Sequence, residues 1–139
     1  MYQKLYIDGA WQASTGKQSF DVINPATEKI CASIIMGTKK DVDLAVVAAR
    51  KAFKTWKKTS PEYRANLIEQ LADALYERKQ DLADAISLSM GIPKHLALEV
   101  QVEEPIEILR SYSQRTALMN KEETIGNATI IKKPIGVCG

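Results

Sequence analysis

The sequence predicts an α/β protein made of a β-hairpin element, three helical segments and C-terminal strands. Three observations carry that class. Residues 1–36 are rich in aromatic and β-branched residues punctuated by turn signals. Beyond them, apolar residues recur at steps of three and four, the period of an amphipathic helix. Residues 129–139 return to β-branched composition at Thr129, Ile130, Ile131, Ile135 and Val137, which favours a pleated, half-buried strand.

Taken in order, Leu5 to Trp11 places aromatic and β-branched residues around Asp8 and Gly9, a pair suited to a hairpin turn with positive φ at both positions. A polar tip at Ser14 to Ser19 separates this hairpin from an extended run, Phe20 to Ile23, which ends at Asn24 and Pro25. Ile30 to Met36 is again extended, so the first 36 residues form a small antiparallel β element. Thr38, followed three residues later by Asp41, has the pattern of a capping box with Asp in place of Glu. Val42, Val46, Ala49, Phe53 and Trp56 then make one apolar face of a helix over residues 39–57. Ser60 and Pro61 start a second helix, whose stripe of Leu67, Leu71, Leu75, Leu82 and Ile86 runs on to a stop at Gly91. Unbroken from 61 to 90, it would be roughly 45 Å long. Pro93 opens a third helical segment with Leu96, Val100, Leu109 and Tyr112 inward. Pro105 divides it, predicting a kink or two helices meeting near Glu103 and Glu104. The helical pattern fades by Asn120, and a turn at Gly126 and Asn127 links two extended pieces.

The final stretch leads to a second expectation. Its apolar second half has nothing within the chain to cover it, which reads as the N-terminal portion of a longer polypeptide whose last strand leads into a further domain. At 139 residues the chain could bury roughly two thirds of its unfolded surface if it closed its own core. The hydrophobic fraction of 45% and the charged fraction of 26% are those of a globular protein, excluding long disorder. A net charge of +2, with basic residues interspersed among acidic ones, shows no nucleic-acid footprint. The densest cluster, Lys51, Lys54, Lys57 and Lys58, reads as a solvated helix end. No membrane partner is expected, and the N-terminus has no apolar run of signal-peptide length, so the expected location is cytoplasmic.

Catalytic constellations do not emerge from the residues. Gly136 to Gly139 lacks the third glycine and the helix of a dinucleotide fingerprint. His95 has no triad partner at a marking spacing and reads as solvated. Glu103 and Glu104 point about 100° apart on a helix, which predicts one exposed and one half-buried carboxylate. Cys31 reads as core or near-core. Cys138 reads as strand packing, a buried and inert thiol and not a nucleophile.

In sequence order, Leu5 to Trp11, Val22 to Thr27, Asp41 to Trp56, Arg64 to Asp73, Gly91 to Lys94, Glu99 with Val100, and Lys133 to Gly139 resemble the N-terminal region of the NAD(P)-dependent aldehyde dehydrogenase superfamily. The resemblance covers essentially the whole chain. It implies an aldehyde-dehydrogenase-like α/β fold and a parent enzyme that oxidises an aldehyde to a carboxylic acid with NAD or NADP, by thiolate attack, hydride transfer and thioester hydrolysis. It also implies that the catalytic and cofactor-binding residues lie outside this chain, which alone is expected to be an inactive scaffold that binds no cofactor. Residues 1–123 resemble the N-terminal part of the cofactor-binding domain, 124–133 the strands of an oligomerisation arm, and 134–139 the start of the strand entering the rest of that domain. The implied partners are the remainder of the parent chain, further copies in a homodimer or homotetramer, and a small-molecule aldehyde. A monovalent-cation site is implied at Val22 and Ile23 with the carboxylate of Glu103, beside Pro105. The competing reading is a free-standing helical module that binds a protein partner through its apolar stripes.

Overall fold

A computed structural model describes residues 4–119 and 122–139, with 116–119 described by their backbone alone. The expected fading of the helix at Asn120 lies outside the described residues, as do the first three residues. The chain divides into two compact units. The first holds residues 4–57 with Leu88–Gly91 and Gly136–Gly139; the second holds Lys58–Ser87 and the described part of Ile92–Ile135.

In the first unit, β1 (Lys4–Ile7) and β2 (Ala10–Ala13) form the expected hairpin, with Tyr6 opposite Trp11 and their rings edge to face at 5.3 Å. Asp8 and Gly9 both take positive φ, 52° and 80°, as the tight turn requires. A second hairpin pairs β3 (Ser19–Asn24) with β4 (Lys29–Ile35) and carries a register shift between Val22 and Ile23. Its turn is closed by the Asn24 side chain, which accepts from the Ala26 N–H at 2.8 Å. The two hairpins are separate two-stranded sheets, where the sequence suggested one small β element.

Helix α1 (Lys39–Trp56) begins at the expected cap. The Thr38 hydroxyl accepts from the Asp41 N–H at 3.3 Å, and Asp41 accepts from the Thr38 N–H at 2.8 Å. The carboxylate also accepts from the Ser14 hydroxyl at 2.8 Å and the Thr15 N–H at 3.0 Å, so the polar tip after β2 is tied to the helix start. Hydrogen bonds from the Thr38 N–H first, then from Thr15 and Ser14, hold the Asp41 carboxyl well below the ordinary carboxylate range, against the opposing effect of burial. Along α1, Val46, Ala49 and Phe53 are half-buried, whereas Val42 and Trp56, expected inside, are exposed.

The second unit is helical: α2 (Pro61–Glu77), α3 (Lys79–Met90, whose last residues belong to the first unit), α4 (Lys94–Leu98) and α5 (Glu104–Met119). Ser60 caps α2 through the Tyr63 N–H, with Pro61 at its start. The single helix expected over 61–90 is broken at Arg78, whose φ of −107° and ψ of 17° leave the helical region. The stripe skips from Leu75 to Leu82 at this point, and Arg78 pairs with Asp81 in the new first turn. Between α4 and α5 lies a π turn, Glu99–Glu103, closed by the Glu104 N–H to the Glu99 carbonyl. The two helical pieces thus meet at Glu103 and Glu104, as Pro105 predicts. Pro105 falls in the first turn of α5, where its missing N–H is tolerated.

That extra residue shifts the inner face. Leu96, Val100 and Tyr112 are exposed, and the buried positions are Ala97, Val102 and Ile106. The step from Ala97 to Val102 is five residues, the π repeat, not the three or four of an uninterrupted α-helix. The core is completed by Ala72 and Ala83, with Leu75, Leu82, Ile86 and Leu109 packed on it. The β-hairpin of β5 (Glu123–Ile125) and β6 (Ala128–Ile130) turns at Gly126, φ 59°. The strand expected over 129–139 ends at Ile130, and residues 131–139 form no ladder. β-branched composition supplies propensity but no neighbouring strand to bond.

Three outcomes follow for stability. Thr38→Ala removes the N-cap and should cost about 1 kcal/mol in urea denaturation. Because the native carboxyl of Asp41 is depressed, its contribution is present above the ordinary carboxylate range near pH 4 and is lost as pH falls below it. Asp41→Asn should therefore flatten the acid limb of the stability profile. Gly91 has φ 70°, and an added Cβ would lie 2.8 Å from the Ala26 nitrogen. Gly91→Ala should then cost about 1–3 kcal/mol from backbone strain alone. An unchanged urea midpoint would contradict that packing.

Candidate functional site

The residues singled out in the sequence fall in different places. Val22 and Ile23 flank the register shift of β3 in the first unit, and the Val22 carbonyl accepts from the Cys31 thiol at 3.3 Å. Cys31 is half-buried, near-core as expected. Glu103 is the last residue of the π turn in the second unit. It is half-buried and Glu104 exposed, the division expected of the pair. The Glu103 carboxylate accepts from the Lys79 ammonium at 2.8 Å, and that ammonium sits 4.3 Å from the centre of the Tyr76 ring. The hydrogen bond to Glu103, opposed by desolvation, raises the Lys79 pKa. His95 is exposed on α4, and Lys51, Lys54, Lys57 and Lys58 are exposed at the end of α1, as expected. Among the described residues, no cluster of three His, Cys, Asp or Glu side chains could hold a metal ion.

Cys138 requires correction. It is exposed, not packed in a strand, because residues 131–139 have no strand neighbour to cover them. It lines an open recess with Val46, Arg50, Phe53 and Val137.

The polar centre that sequence reading missed is Arg110, one turn after Ile106 on the inner side of α5. Its guanidinium reaches Asp73 at 3.1 Å and Glu107 at 3.2 Å, with Glu69 at 3.7 Å. Asp73 first, then the other two carboxylates, raise its pKa. Ser113 donates to Glu69 at 2.6 Å on the same seam. With two of the acids on α2, the arrangement clamps α2 to α5; every acid on it is committed to the guanidinium. The available signal was the i,i+3 spacing of Glu107 and Arg110.

Chemically, then, the described residues offer structural ion pairs, an exposed thiol and a large apolar surface. The accessible area is 10859 Å², whereas a folded monomer of 15.4 kDa exposes about 7,200 Å². Only about half of the unfolded surface is buried, less than the two thirds an autonomous core would reach. Tyr6, Trp11, Phe20 and Val47 are each more than half exposed, and Ile135 is 94% exposed. The β5–β6 hairpin is exposed along both strands.

Comparison with known proteins matches the model of the aldehyde dehydrogenase family over residues 11–139. A 3-succinoylsemialdehyde-pyridine dehydrogenase of Pseudomonas sp is 40% identical over 146 residues, covering 99% of this chain and 29% of the relative. A crystallised mutant of aldehyde dehydrogenase C from Pseudomonas syringae, complexed with NAD+ and octanal, superposes with a TM-score of 0.91 at 42% identity. It covers 96% of this chain and 27% of that one. An NAD+ complex of aldehyde dehydrogenase from Bacillus cereus gives 0.84 at 32% identity, covering 92% and 26%. The chain thus spans between a quarter and a third of the length of the relatives it matches. Matched by the family model from residue 11 to its last residue, and by solved members across nearly all of its fold, the chain belongs to the aldehyde dehydrogenase family and corresponds to its N-terminal part.

Proposed function

We propose that the whole protein oxidises an aldehyde to a carboxylic acid with NAD as hydride acceptor, and that residues 1–139 serve it as scaffold and association surface. The family match over residues 11–139 carries this reading. NAD, in preference to NADP, is supported by the solved relatives, which hold NAD+. The bound cofactor would accept the hydride. The groups this chain supplies are those of a frame: the Asp41 cradle, the Arg110 clamp and apolar faces for the remaining chain to cover. The domain assignment is part of the same proposal: 1–123 as part of the cofactor-binding domain, 124–133 as an oligomerisation arm and 134–139 as the crossing into the rest. An exposed hairpin with free edges suits an arm that pairs with a second copy in a dimer or tetramer. Among the described residues no helix is long and apolar enough to cross a membrane, and we place the protein in the cytoplasm.

Three measurements test this. The whole protein, given NAD+ and a panel of aliphatic and aromatic aldehydes, should produce NADH with at least one of them; absence of turnover across the panel would overturn the activity. In calorimetric titration, the 139-residue chain should show no NAD binding, and micromolar affinity would refute its scaffold role. Thr129→Pro in β6 removes a ladder donor and should lower the assembly state of the whole protein in light scattering while leaving its helical circular dichroism intact. Unchanged mass would remove the hairpin from the interface.

A further inference from the structure

The carboxylate that the resemblance assigns to a monovalent cation already has a cationic partner. Lys79 is the first residue of α3, directly after the break at Arg78, and Glu103 is the last residue of the π turn. Their charged groups meet at 2.8 Å, both only partly exposed, at 26% and 37% of the side chain. The ammonium also lies over the Tyr76 ring at 4.3 Å, so it is held from two sides. A metal ion bound by this carboxylate would sit beside a fixed positive charge, and the repulsion is strongest where water is scarce. The arrangement at Glu103 therefore does not fit a metal ion. We infer that in this protein the cation held by Glu103 is the ammonium of Lys79, which closes the carboxylate to sodium and potassium. The pair joins the start of α3 to the π turn without need of an ion from solution.

The test reads melting temperature, not turnover, so its outcome is separate from that of the proposed activity. The whole protein and its Glu103→Gln variant are compared in sodium, potassium and choline chloride at equal ionic strength. Both should respond alike to exchange of choline for sodium or potassium. Lys79→Met should acquire a saturable rise in melting temperature with sodium or potassium that is lost when Glu103→Gln is added. A saturable, ion-specific rise in the unsubstituted protein that Glu103→Gln abolishes overturns the inference. So does a Lys79→Met protein as indifferent to these ions as the unsubstituted one. Should Lys79→Met fail to fold, Lys79→Gln takes its place, and the comparison of the unsubstituted protein with Glu103→Gln still decides against the inference if that ion-specific rise is seen.

Discussion

The first unit depends on one carboxylate. Asp41 is 4% exposed, and a carboxylate so far from water is tolerable only when its oxygens are met by donors. Those donors come from two places distant in sequence, the start of α1 and the loop after β2, so satisfying the charge fixes both together. The loop cannot move without exposing the helix cap, and the helix cannot fray without releasing the loop. Because the first hairpin leads into this loop and α1 follows from the cap, the positions of β1, β2 and α1 become one decision. A neutral side chain of the same size could accept fewer of these hydrogen bonds.

The second unit has a steric constraint in place of the electrostatic one. Ala72, Ala83 and Ala97 are fully buried, and small side chains at such positions let helix backbones approach closely. Val102 and Ile106 fill the space that remains. They can do so only because the π turn adds a residue between Ala97 and Val102, carrying the helix past Pro105 in a register that turns Ile106 inward. The same added residue sets Glu103 against Lys79. Arg110, one turn further on, then ties the α2-facing side of α5 to Glu69 and Asp73. Pro105, the π turn, the alanine core and both ion-pair groups are thus consequences of one helix path.

What was legible in the sequence is what neighbouring residues decide among themselves. The turn at Asp8 and Gly9, the capping box of Thr38 and Asp41, the start at Ser60 and Pro61, and the stop at Gly91 each depend on the backbone preferences of a few consecutive residues. The alanine core and the pairs of Arg110 with Asp73 and Glu69 depend on partners tens of residues away. Of the expected stripe, Leu67, Leu75, Leu82 and Ile86 are half-buried but Leu71 is exposed, and the most buried positions beside it are alanines, whose small size gives them little weight in a periodicity count. In the third segment Val100 falls within the π turn, where a period of 3.6 no longer holds, and Leu96, before the turn, is exposed beside the buried Ala97. Cys138 shows the converse error, since strand propensity at residues 131–139 says nothing about whether a strand stands alongside to bury it. At Glu103 the sequence located a half-buried carboxylate but not its partner, because Lys79 reaches it only through the break at Arg78.

The uncovered surface decides between the two functional classes on magnitude. The excess over an ordinary monomer of this mass is about 3,700 Å². A helical module that docked one partner through a standard interface would cover about 800 Å² of its own surface, leaving most of the excess in water. Nor is the exposed material confined to one stripe: Trp11 and Phe20 lie on different hairpins, Val47 on α1, Leu71 on α2 and Ile135 near the end of the chain. Covering faces so dispersed takes contacts of the extent and apolar character found in obligate assemblies and in the interior of a single folded protein. The relatives that the chain matches are more than three times its length. On this measure the dispersed apolar faces of the chain exceed what one docked partner would cover, which favours the reading of the chain as part of a larger fold.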